Sequence, residues 1–188
     1  MRVIAGTAGS LPLKTPEGMD TRPTTDRIKE TLFNMLNPHL PDSVFLDLFS
    51  GSGQIGIEAL SRGAGHAYFV ENGTKPFACI RQNLEFTGFL DKATLLRQDV
   101  LGALAAVREK EADIIFMDPP YGMGFEERVL GTLAGMPYVT DHTLLVVEAA
   151  LDRDFTFVRE LGYTLEKEKR YKTNKHVFMR KQGGGENR

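Results

Sequence analysis

Short apolar runs alternate with segments whose apolar residues recur at helical spacing. Residues 44–49, 66–71, 93–97, 112–117 and 143–149 read as strands, nearly unbroken in Val, Ile, Leu, Phe and Ala as strands covered on both faces are. Between them, 55–62, 76–86, 100–110 and 125–133 read as helices, with Gly88 supplying a left-handed stop after the second. This alternation predicts an α/β fold with a mostly parallel sheet. Past residue 160 the pattern changes. Segments 164–171 and 176–180 are β-rich and joined by Lys172-Thr173-Asn174-Lys175, which predicts an antiparallel hairpin closing one edge of a seven-stranded sheet. Upstream, 2–5 and 11–14 can pair as a small hairpin, and Thr25 is placed to cap a helix over 26–36 that ends near Pro38. The expected organisation is one domain over 1–182, made of an N-terminal extension (1–43) and a core (44–182), followed by a flexible tail at 183–188 that begins Gly183-Gly184-Gly185.

Composition narrows the class without naming it. The 188 residues are 41% hydrophobic and 26% charged, ordinary values for a chain that can bury one full core. No apolar run approaches the ~20 residues of a membrane span, and Cys79 is the single cysteine, so a reducing cytoplasm and no internal disulfide are expected. Cys79 and the four histidines show no metal-ligand spacing. No metal is expected, and His66 and His176 read as structural strand residues. The net charge of −2 hides an asymmetry: residues 163–188 carry eight Lys/Arg against three Asp/Glu, whereas 44–162 carry ten against seventeen. A polyanion should therefore meet the C-terminal end first, with Lys172 and Lys175 as candidate contacts; the same lysines also suit a solvated strand edge.

The chemistry gathers where strands end. Asp47-Leu48-Phe49-Ser50-Gly51-Ser52-Gly53 places a glycine-rich turn between the first core strand and its helix, where backbone can approach a ligand closely. Gly51, Gly53 and Gly56 also satisfy GxGxxG, so a dinucleotide site is an alternative; against it, Asp47 would repel a pyrophosphate and welcome an ammonium. Glu71 ends the second strand, where an acid accepts ribose hydroxyls, and Asp99 ends the third, where it can accept from an adenine amino group or cap the next helix. Phe49, Ser50, Gly51 and Gly53, with Asn72 beside Glu71 and Gln98 beside Asp99, complete the candidate cofactor contacts. After the fourth strand comes Asp118-Pro119-Pro120-Tyr121. Two prolines make a rigid corner without backbone donors, Asp118 and the adjoining carbonyl are acceptors, and Tyr121 offers a flat face to a planar base. That combination suits an exocyclic amino group.

In this order, and with Arg2-Val3-Ile4-Ala5-Gly6, Arg22-Pro23-Thr24-Thr25-Asp26-Arg27 and Glu30-Thr31-Leu32-Phe33-Asn34 upstream, residues 1 to about 180 resemble the RsmD-type 16S rRNA guanine-N2 methyltransferases, within the S-adenosylmethionine-dependent class I methyltransferases. The resemblance implies a Rossmann-like fold, S-adenosylmethionine as cofactor, and methylation of a guanine N2 in 16S rRNA of the small ribosomal subunit by a monomeric enzyme. It implies catalytic and base-holding roles for Asp118, Pro119, Pro120 and Tyr121, with Asp118 also beside the cofactor. Arg22 and Thr24, at a loop-to-helix junction, would bind the cofactor carboxylate or the RNA backbone. A DNA adenine-N6 or cytosine-N4 methyltransferase needs the same corner but also surface for reading the major groove, for which this chain leaves only the N-terminal piece and a hairpin. A non-catalytic nucleotide-binding module and a glutamine or small-molecule methyltransferase are the remaining readings.

Overall fold

The computed structural model describes residues 1–16 and 25–183. Five parallel strands form the centre: β1 (Val44–Leu48), β2 (His66–Val70), β3 (Ala93–Leu96), β4 (Ile114–Met117) and β5 (Leu144–Ala150). Helices α2 (Gln54–Ser61), α3 (Thr74–Thr87), α4 (Val100–Ala106) and α5 (Phe125–Ala134) connect them. β6 (Tyr163–Arg170) and β7 (Asn174–Lys181) form the expected hairpin. The sheet order is β3-β2-β1-β4-β5-β7-β6, and β7, antiparallel, inserts between β5 and β6. Chain direction reverses sideways at β1, because β2 and β3 extend one way and β4 and β5 the other. The carboxyl ends of β1 and β4 thus border the crevice where open α/β sheets hold ligands.

Two apolar layers cover the sheet. One joins Leu46, Val70, Leu104, Met117, Leu130 and Val147; the other joins Phe33, Phe45, Ile57, Phe69, Ile80 and Phe116. The alternation Phe45/Leu46 and Phe116/Met117 sends successive side chains to opposite layers, the period-2 rule of strands. Helix α1 (Asp26–Leu36) starts at Thr25, whose hydroxyl accepts from the Ile28 N–H, and buries Leu32, Phe33 and Leu36 in the second layer.

Three expectations are corrected. Helix α4 ends at Ala106, not at Lys110: Val107 is extended and buried in the core, and Glu109 accepts from the Tyr68 hydroxyl at 2.8 Å, so tertiary contacts override helix-forming residues 108–110. Helix α3 begins at Thr74, with Pro76 tolerated in the first turn, where its missing N–H has no helical partner to lose. The N-terminal hairpin is confined to residues 1–3 and 10–13, where Val3 N–H donates to Leu11, Ser10 N–H to Val3 and Leu13 N–H to Met1 around the Arg2–Pro12 bridge; it stops there because the N–H groups of Ile4 and Ala5 donate to the Glu58 carboxylate (2.7 and 3.0 Å).

Glu58 organises that corner. It is fully buried on α2 and also accepts from Arg62 Nε (2.8 Å), while the equally buried Lys29 Nζ lies 3.5 Å away and donates to the Arg2 carbonyl at 2.5 Å. Burial pulls the Lys29 pKa down, with Glu58 opposing. Charge and backbone donors from three segments are satisfied together, which fixes the extension and α1 on the core.

Candidate active site

A cavity of about 1570 Å³ opens along the carboxyl edge of the sheet. Its lining brings together Asp47, Phe49, Ser50, Gly51, Glu71, Asn72, Gln98, Asp99 and the whole corner Asp118–Tyr121, all but one of the sequence candidates on these four strand ends. Gly53 lies just behind, as the left-handed N-cap of α2. Arg22 and Thr24 lie outside the described residues. Thr25, the N-cap of α1, with Arg27, Ile28 and Thr31 of that helix, forms part of the wall, as do Lys172 and its neighbours from the β6–β7 turn.

The glycine turn is held by the acids. Gly56 admits no side chain: an added Cβ would sit 2.4 Å from Phe69 Cε1, so the glycine lets α2 press onto β2. Asp47, 1% exposed, accepts from the Gly56 N–H at 2.9 Å, and burial pushes its pKa up to about 7, with the Glu71 charge adding to the rise. Glu71 accepts from Gly51 N–H (2.9 Å) and Gly73 N–H (2.7 Å), bracing the turn from the next strand. Phe49 has φ +66, a costly backbone state for a bulky residue, and is secured by an edge-on contact with Phe125 at 5.2 Å. Asp99 does cap α4, accepting from Gly102 N–H at 3.0 Å, and still borders the cavity.

These residues fit a methionine-derived cofactor. A Cβ at Gly51 would meet open space, so ligand can lie against that turn. Gln54 Oε1, also at the cavity wall, is buried with no donor, as an acceptor awaiting a ligand would be. Asp47 and Glu71 offer negative charge to an ammonium and spare lone pairs to hydroxyls.

The second half is the proline corner. Asp118 is reached by water from the cavity but enclosed by protein elsewhere. That partial desolvation raises its pKa, toward about 8, with the Glu148 and then the Asp47 charges adding to it. Tyr121 stands at the rim, 48% exposed, its face free for stacking. Beside them the structure adds residues absent from the sequence candidates. Glu148 lies near the carboxyl end of β5, two residues before its last, and lines the cavity; Asn174 Nδ2 donates to its Oε1 (2.5 Å), and its Oε2 lies 3.0 Å from His176 Nε2. Tyr171 hydroxyl lies 3.1 Å from His176 Nδ1. The signal was available: Glu148 is the one charge in the run Leu144–Ala150, an acid toward the carboxyl end of the fifth strand, as others stand near the ends of the first four.

Lys175, expected beside Lys172, points elsewhere. The register pairs Ala150 with Asn174, Ala149 with Lys175 and Glu148 with His176, so strand alternation sends Asn174 and His176 to one face and Lys175 to the other. There it is 4% exposed, 2.8 Å from Glu168 and 5.6 Å from the Phe155 ring centroid. Lys169, Arg170 and Lys172 remain at the rim. Among the described residues, no group of three or more His, Cys, Asp or Glu could hold a metal, and no helix is long and apolar enough to cross a membrane.

The strand order and the two-part site define a Rossmann-like class I methyltransferase. Ribosomal RNA small subunit methyltransferase D of Escherichia coli strain K12 is 33% identical over 169 residues, 90% of this chain and 84% of its own; YlbH of Bacillus subtilis strain 168 is 44% identical over 123 residues, 64% and 67%. The solved structure of yhhF from Escherichia coli superposes with a TM-score of 0.82 at 30% identity, covering 97% of this chain and 98% of that one. The chain belongs to the family described as Conserved hypothetical protein 95, whose model matches residues 1–180.

Proposed function

We propose that the protein methylates the exocyclic N2 amine of a guanine in 16S rRNA of the small ribosomal subunit, using S-adenosylmethionine. The observation that carries this is the acid-proline-proline-tyrosine corner standing in one cavity with Asp47, Glu71 and the glycine turn. The rRNA substrate is carried by the relatives, among them the small subunit methyltransferase D of Escherichia coli.

Asp47 and Gln54 would hold the amino-acid end of the cofactor, Glu71 its ribose and Asp99 its adenine. Bound there, S-adenosylmethionine supplies an electrophilic methyl group on a cationic sulfur. The protein's own task concerns the amine, whose lone pair is delocalised into the purine. Asp118 and the Pro119 carbonyl accept its two N–H bonds, which draws the nitrogen toward tetrahedral geometry and frees the lone pair. Tyr121 stacks on the extruded base, a contact worth ~1–3 kcal/mol. Positioning supplies much of the acceleration, so no strong base is needed beforehand; Asp118, with its raised pKa, is suited to take the proton afterwards. Lys169, Arg170 and Lys172 at the rim meet phosphates.

Mapping methylated bases in small-subunit rRNA from cells with and without the gene tests this. Loss of one N2-methylguanine is expected; an unchanged map would refute the assignment. The net charge of −2 offers little purchase on bare RNA, so subunits lacking the modification should be methylated faster than deproteinised 16S rRNA at matched salt.

A further inference from the structure

Glu148 has no part in the two acceptor roles assigned to Asp118 and Pro119, yet it is the most elaborately held acid in the cavity. Met117 and Val147 are register partners in the parallel pair β4–β5, so Asp118, just past β4, and Glu148, within the last three residues of β5, stand at the same level on neighbouring strands. Their proximity is felt, since the Glu148 charge contributes to the raised pKa of Asp118. Glu148 is 6% exposed and lines the cavity, with Asn174 donating to one oxygen and His176 to the other. A carboxylate only accepts, so His176 carries a proton on Nε2, and in the neutral ring Nδ1 accepts from the Tyr171 hydroxyl. His176 is fully buried, which fixes the ring and, through it, the carboxylate. Each Glu148 oxygen keeps a lone pair. Beside it, the buried Asn174 Oδ1 has no donor at all. An orphaned acceptor next to two acids, in a cavity, calls for a ligand edge made of donors.

Among nucleobases with an exocyclic amine, the atom beside that amine distinguishes them. Adenine and cytosine present a ring acceptor next to the amino group. Guanine presents a second donor, N1–H. Resting on the N2-amine reading above, we propose that Glu148, oriented by Asn174, His176 and Tyr171, accepts from guanine N1–H and is the residue that selects guanine. A base with a lone pair at that position would face a carboxylate with none of its own donors to offer. Specificity then comes from repulsion as well as attraction.

The test replaces the target guanine, in semisynthetic 16S rRNA assembled into subunits, by 2-aminopurine. This base keeps the 2-amine but has an acceptor at N1. Initial rates of tritium transfer are measured for the wild type, Glu148→Gln and Glu148→Ala, with cofactor affinity and thermal unfolding followed in parallel. The wild type should prefer guanine strongly. Glu148→Gln, whose amide can donate to N1, should lower the guanine-to-2-aminopurine ratio by at least ~100-fold, and Glu148→Ala should lower it less. Comparing ratios cancels the different reactivities of the two amines and any uniform loss from imperfect folding. Were both variants too unstable to assay, equal wild-type rates on the two bases would still overturn the proposal. So would an unchanged ratio in folded variants that still form N2-methylguanine. If the wild type forms no N2-methylguanine on unmodified subunits, the base assignment fails first and this selection falls with it.

Discussion

Removing the Glu58 carboxylate exposes how much of the cavity wall depends on a charge far from the chemistry. Glu58 accepts four contacts in the folded protein: Ile4 N–H, Ala5 N–H, Arg62 Nε and the ion pair with Lys29. In Glu58→Ala, Lys29 stays fully buried with only the Arg2 carbonyl as acceptor. Breaking a buried pair by deleting one partner costs about 3–5 kcal/mol. Two backbone donors lose their acceptor, at ~1–3 kcal/mol each where water cannot reach them. The terms overlap, because water entering for one group serves the others, so a loss of about 4 kcal/mol is expected, against total stabilities of ~5–15 kcal/mol for domains generally. Urea unfolding followed by circular dichroism measures this as a lower midpoint. The double substitution Glu58→Leu with Lys29→Met should recover part of it, since apolar pairs of similar volume often replace buried ion pairs without loss. Cofactor affinity should fall too, because α1 and its N-cap carry Thr25, Ile28 and Thr31 to the cavity. A loss below ~1 kcal/mol for Glu58→Ala would refute the reasoning and leave the corner held by apolar packing alone.

The remaining expectations concern the cavity. Asp118→Ala should leave cofactor binding by calorimetry nearly intact while transfer falls by orders of magnitude; retained turnover would remove Asp118 from the amine site. Glu71→Ala should weaken S-adenosylmethionine binding by about 1.5–3 kcal/mol, beyond what a loosened Gly51 turn explains if Glu71→Gln recovers part of it. Asp47, raised from 3.8 to about 7, binds its proton more tightly folded than unfolded. It therefore makes folding less favourable as pH climbs from ~4 to ~7, the window in which the unfolded form has already ionised. Asp47→Asn, which keeps an oxygen for Gly56 N–H, should unfold at a temperature that gains on the wild type across that window; parallel curves would show that Asp47 ionises normally.

The central strands were legible because burial on both faces removes polar residues from a run, and the acids stood out as the charges ending such runs. Glu148 is hidden in the sequence because its run fits a buried strand throughout, and its partners Asn174 and His176 come from a hairpin whose register the composition does not reveal. The same gap misplaced Lys175: along β7, one residue separates a cavity face from a buried face, and a basic stretch looks alike on both. Helix α4 was overextended since residues 108–110 favour a helix locally, and only the burial of Val107 and the contact from Tyr68 to Glu109 draw the chain away.

The insertion of β7 between β5 and β6 also has a consequence in time. Translation proceeds from the amino end, so Asp47, Glu71, Asp99 and Asp118 have all emerged when β4 is complete, while Asn174 and His176 follow more than fifty residues later. Until they arrive, β5 is an open sheet edge and Glu148 lacks both of its donors. The pocket proposed for the methyl donor is thus encoded ahead of the part proposed to judge the base, and a product truncated ahead of β7 would carry the residues of the first without those of the second.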